Sequence, residues 1–115
     1  MPWSLLSRIL RRPNRPPALV GTWHLERSED PEADPGVEID VLPDGRMQYS
    51  IPASDRWQII QMTWCVENEW ILTDQPSSPR VEKTRFRLES DDSLVLEFSG
   101  HQSWFRRGAK RAPAA

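Results

Sequence analysis

Between Leu19 and Arg107 apolar and polar residues alternate with period two, in short runs broken by Pro, Gly, Asp and Ser at intervals of about 8–12 residues. That rhythm is the mark of an all-β sandwich or barrel. Eight strands are predicted: Leu19–Arg27, Val37–Leu42, Arg46–Ile51, Trp57–Val66, Trp70–Thr73, Val81–Glu89, Leu94–Phe98 and Gln102–Arg107. Val37, Ile39 and Val41 alternate with Glu38 and Asp40, so that strand has one buried and one wet face. Pro43-Asp44-Gly45, Glu67-Asn68-Glu69, Ser90-Asp91-Asp92 and Ser99-Gly100 read as tight turns, and Gln75 to Pro79 as a loop. Such connections are too short for crossovers, so sequence neighbours pair antiparallel in a meander. Closing the meander removes its two edges, and the predicted fold is an eight-stranded antiparallel up-and-down barrel.

The ends follow other rules. At 100° per residue Trp3, Leu5, Leu6, Ile9 and Leu10 share about 160° of arc, opposite Ser4, Ser7, Arg8, Arg11 and Arg12. This predicts one short N-terminal amphipathic helix over residues 3–12, stopped by Pro13. Residues 1–17 are thus a helix and Pro-rich linker, 18–108 the barrel, and 109–115 a tail without apolar period.

In 115 residues there is room for one core. Cys65 is the sole cysteine, so the fold has no internal disulfide. The positive charge of residues 1–12 follows their apolar stretch instead of preceding it, the reverse of a secretory signal, which leads to an expected cytoplasmic location. The net charge of −2 conceals a division: all seventeen carboxylates lie in 18–104, against seven basic residues, while both ends are basic. So acidic a body repels phosphate backbones, and nucleic acid is not an expected partner.

Leu19-Val20-Gly21-Thr22-Trp23 resembles the opening of the lipocalin-like (calycin) superfamily, whose first strand begins Gly-x-Trp. Phe105-Arg106-Arg107 resembles its last strand. The resemblance implies a barrel-closing pair in which Arg107, or failing it Arg106, stacks on Trp23. Pro43-Asp44-Gly45-Arg46 and Leu94 to Phe98 are similar to small bacterial lipocalin-like domains of unassigned function. The loop after the first strand covers the mouth in such folds, so Ser28 to Gly36 is the expected lid.

Alternation sends Trp23, Leu25, Val37, Ile39, Val41, Met47, Tyr49, Ile51, Ile60, Met62, Trp64, Val66, Trp70, Leu72, Phe86, Leu88, Leu94, Leu96, Phe98 and Phe105 inward. So many apolar side chains on short strands favour a mostly filled interior with a small cavity near the open end. Glu82 and Thr84 share the inward face of their strand. A carboxylate at an apolar mouth makes Glu82 the candidate polar anchor, against the plainer reading of a solvated or arginine-paired rim residue. The alternate acids of the lid suggest calcium, but Pro31 and Pro35 hold its backbone extended, and no metal site is expected. His24, His101 and Cys65 lack zinc spacing. No acid–base or nucleophilic constellation stands out, and no cofactor or enzymatic activity is expected.

These observations lead to a non-enzymatic module binding a small apolar or amphipathic molecule, with Tyr49, Trp57, Trp64, Trp70 and Glu82 nearest its mouth or cavity. The alternative is a protein-interaction module in which a filled barrel is scaffold. There the N-terminal helix, Trp57 and Trp104 dock a partner, a second copy or a membrane surface.

Overall fold

A computed structural model of the protein describes residues 13–77 and 79–108. Eight strands follow one another: β1 (Gly21–Ser28), β2 (Glu38–Val41), β3 (Arg46–Pro52), β4 (Trp57–Glu67), β5 (Trp70–Asp74), β6 (Val81–Ser90), β7 (Ser93–Phe98) and β8 (His101–Arg107). Each pairs antiparallel with the next, and β1 pairs with β8, closing the barrel. The amphipathic helix expected over 3–12 lies outside the described residues. Among those described, the only helical element is the 3-10 turn Pro17–Leu19.

Leu19 belongs to that turn and not to the first strand. Pro17 supplies a fixed φ and needs no N–H partner at the start of a helical turn, which ends as Val20 becomes extended. The turn carries Leu19 under the barrel, where it is 1% exposed and joins Trp23, Ile39, Val41, Met47, Leu94, Leu96 and Phe105 in the core.

Strand β5 faces the other way from the expected one. Glu67 pairs with Trp70, Val66 with Ile71 and Trp64 with Thr73. The connection therefore contains two residues, Asn68 and Glu69, the first at φ 56°. Counting Glu67 into the turn adds one residue, and in a sheet one residue exchanges the faces. Ile71 is the buried residue, while Trp70 and Leu72 face outward beside Arg85 and Lys83. The Arg85 guanidinium stands 5.0 Å from the Trp70 ring centroid.

Three hairpins (β2–β3, β4–β5 and β6–β7) and the 3-10 turn lie at one end; the β1–β2, β3–β4, β5–β6 and β7–β8 connections lie at the other. The first end is closed. Arg107 lies 4.2 Å over the Trp23 ring and donates three hydrogen bonds, from Nη1 to the Val20 carbonyl, Nη2 to Ala18 and Nε to Asp91. Gly21 has φ +139°, and a Cβ there would stand 2.7 Å from Arg107 Nη1. The glycine of Gly-x-Trp thus makes room for the arginine at the other end of the chain. A second arginine, Arg15, packs against Gly45 and donates to the Trp64 carbonyl. The buried indoles are satisfied locally: Trp23 donates to the Leu19 carbonyl, Trp64 to Leu42.

Candidate functional site

Inside the barrel almost no space remains. The void bounded by Leu19, Ile39, Val41, Met47, Tyr49, Ile71, Thr73, Thr84, Leu94 and Leu96 measures about 10 Å³. That is near the least volume that holds one water, and far below a drug-sized ligand. At the open end, where β4 runs on past the short β5, a second recess of about 210 Å³ is lined by Met62, Thr73, Gln75, Arg80 and Glu82. Thr73 lines both spaces, so one residue of β5 separates the packed interior from the recess.

The recess is polar because of what β5 and β6 present at their junction. Asp74 pairs with Val81, and the Asp74 carboxylate accepts from the Arg80 backbone N–H, which fixes the loop between them. Glu82 pairs with Thr73 and therefore shares the inward-facing side of β6 with Thr84 and Phe86. It sits at the rim, its side chain 65% exposed, 3.9 Å from the Arg80 guanidinium. This is the solvated, arginine-paired arrangement and not a buried carboxylate. Tyr49 lies deeper, on the wall of the void. Desolvation there, aided by the negative charge of Glu82, pushes its pKa well above the usual tyrosine value.

Of the five residues expected near the mouth or cavity, Tyr49 lines the interior void and Glu82 the recess, the two spaces that meet at Thr73. The other three stand apart. Trp64 is 1% exposed at the closed end and touches neither space. Trp70 is on the outer face for the reason given above. Trp57 begins β4 at the open end, but on its outer side, with the 46% exposed Ile59. The sequence reading missed Thr73, Gln75 and Arg80, for which the only signal was their place on either side of a Pro-Ser loop.

The β1–β2 loop is anchored at its base. Glu29 and Gln102 exchange hydrogen bonds, the Glu29 N–H donating to the Gln102 carbonyl and the Gln102 N–H to the Glu29 carboxylate. Farther along, Ala33 packs on the core. On the outer surface Trp104 is covered by Arg27 at 3.7 Å, and Arg106 pairs with Glu26, holding that carboxyl below its ordinary pKa. Burial raises the Cys65 thiol pKa, away from the reactive thiolate form. Among the described residues no three His, Cys, Asp or Glu side chains converge as metal ligands. No helix among them is long and apolar enough to cross a membrane.

Comparison with solved structures assigns the architecture. A lipocalin-like protein from Bacteroides uniformis superposes with a TM-score of 0.66 at 17% identity, covering 79% of this chain and 99% of that one. The fold is lipocalin-like. An uncharacterized protein from Bacteroides eggerthii shares it, with a TM-score of 0.61 at 10% identity over 77% of this chain and 98% of its own. No family model matches the sequence, and no curated protein does. In this lipocalin-like barrel the Gly21–Trp23–Arg107 arrangement forms the closed end, and the recess by Glu82 lies at the other.

Proposed function

We propose that the protein is a non-enzymatic binding domain that holds a small amphipathic molecule at the rim of its lipocalin-like barrel and not in a deep calyx. The observation that carries this reading is the contrast between an interior void of about 10 Å³ and an open recess of about 210 Å³. Met62 offers apolar contact; Thr73, Gln75, Arg80 and Glu82 offer hydrogen bonds and charge. The volume is below the roughly 300–1,000 Å³ of ordinary ligand sites, so the ligand is small or leaves part of itself in water. A single half-buried thiol suits a reducing compartment such as the cytoplasm.

The filled interior also favours a second reading, a protein-interaction module with the barrel as scaffold. There the outer side of β4, with Trp57 and the exposed Ile59, would be the docking face.

Amide spectra of the labelled protein, recorded during titration with a panel of short amphipaths, separate the two. Rim binding shifts Thr73, Gln75 and Glu82 and leaves Leu94 and Leu96 in place. Saturable shifts confined to Trp57 and Ile59, or no saturable shifts, would sink it.

A further inference from the structure

We propose that the open-end half of β4 is a strand-addition site, where an extended, basic segment of a partner protein pairs with the free edge at Ile59 and Gln61. The inference concerns main-chain groups of β4 and stands whether or not the neighbouring recess binds a small molecule.

β4 is the longest strand and overhangs both of its neighbours, at opposite ends. Its pairing with β3 ends at Thr63, and past that point Trp64 donates to the Gly45 carbonyl and Val66 to the Asn14 carbonyl. Even-numbered residues of β4 therefore turn their main-chain groups toward β3, and odd-numbered ones toward β5. At the closed end the overhang is met by a segment from elsewhere in the chain, with Asn14 bridging to Val66. At the open end the pairing with β5 stops at Thr63 and Asp74. Two residues further on, Pro76 would stand opposite Gln61, and proline has no N–H to donate. Among the described residues no backbone group meets Ile59 or Gln61 on that side.

An edge of this kind is normally blunted by charge, proline or a bulge. Trp57-Gln58-Ile59-Ile60-Gln61-Met62 has none of these, and Ile59 is 46% exposed. Two N–H donors and two carbonyl acceptors along one line fit the backbone of another strand, with an apolar side chain of that strand beside Ile59. An added strand continues the line of β5, so its residue opposite Ile60 turns inward over the recess beside Met62 and Gln75. The sign of the partner's charge follows from the surroundings. At the same end the β1–β2 loop carries Glu29, Asp30, Glu32 and Asp34 and no basic residue. A second copy presenting the same edge would bring two such acidic ends together, whereas a basic segment is drawn to one.

The test uses the full labelled chain and the capped pentapeptide Lys-Val-Thr-Val-Lys. In the free protein the Ile59 and Gln61 amides should exchange with solvent at least about tenfold faster than those of Ile60 and Met62, which face β3. The peptide should shift and protect Ile59 and Gln61 saturably. Alternate amides of an added strand face the edge, so N-methylation of both valines and N-methylation of the threonine should give opposite results, one abolishing binding and the other leaving it. Gln61→Pro removes an edge-facing N–H and no bond to β3, so it should keep the fold and weaken the peptide about tenfold or more. Gln61→Lys keeps that N–H, adds a like charge and should weaken the peptide severalfold. Equal binding of the two N-methylated peptides, or tighter binding of Glu-Val-Thr-Val-Glu, overturns the proposal. So does a dimer in sedimentation whose Ile59 and Gln61 amides are already protected, which makes the occupant a second copy. No saturable shift at these amides overturns it too, and leaves the recess reading to its own titration with amphipaths.

Discussion

The two ends of this barrel are built on opposite principles. At the closed end two arginines and two tryptophans are locked to backbone carbonyls, with glycines at the points where arginine and main chain touch. At the open end the strands stop at different heights, the Arg80–Glu82 pair is mostly in water, and a recess remains. Polar atoms that are satisfied by the protein hold the fold; polar atoms that are not satisfied remain available to a ligand. One end fixes the structure and the other is left free to act.

That division is most severely tested at Trp23. Trp23→Ala removes a wholly buried indole from the closed end and should cost about 3–5 kcal/mol in chemical denaturation. Next comes the exchange of faces in β5. Ile71→Ala should cost about 2–4 kcal/mol, whereas Trp70→Ala, which loses a surface stack on Arg85, should cost about 1 kcal/mol. The reverse order would mean that the β4–β5 connection has three residues. Arg107→Met keeps the side-chain bulk over Trp23 but leaves three carbonyls without their donor, and a loss of about 2–3 kcal/mol is expected.

Smaller effects belong to the open end. Tyr49 is the only tyrosine, so phenolate absorbance reports on it alone. Its folded pKa lies above the ordinary value of 10.0. Above about pH 10 the unfolded chain releases a proton that the folded chain retains, and stability falls as pH rises, by at most about 1.4 kcal/mol per pH unit. Phenolate should form at higher pH in the folded protein than in the unfolded chain, and Tyr49→Phe should abolish this part of the alkaline loss. Half-formed phenolate at pH 10 in protein that remains folded would contradict the raised pKa. Glu82→Gln should change thermal stability by less than about 0.5 kcal/mol, since the carboxylate is solvated.

Most of the fold was legible because each strand carries its own period and each hairpin its own turn chemistry. The strand order and the pairing of Trp23 with Arg107 follow from such local signals together with a known motif. What failed did so for definable reasons. The facing of Trp70 depends on whether Glu67 ends a strand or begins a turn, a choice of one residue that alternation cannot make because apolar residues flank the turn on both sides. Leu19 reads equally well as strand or plug, and only the Pro16-Pro17 pair before it hints at the turn that carries it under the barrel. Arg15 gives no local sign of its contact with Gly45, thirty residues away in the chain. The candidate site was less legible still. Glu82 and Tyr49 were visible as polar groups on an inward face, but the recess exists because β4 outruns β5, and relative strand length is a property of the assembled sheet.

The chain enters the barrel and leaves it at the same end. Asn14 bridges to Val66 beside the β4–β5 hairpin, and the Gly108 N–H donates to the Thr22 carbonyl. Whatever grips the chain at Asn14 or Gly108 therefore holds the molecule by its base. The recess lies at the opposite end from Asn14 and Gly108, so a contact made at either of these residues leaves the approach to Glu82 unobstructed.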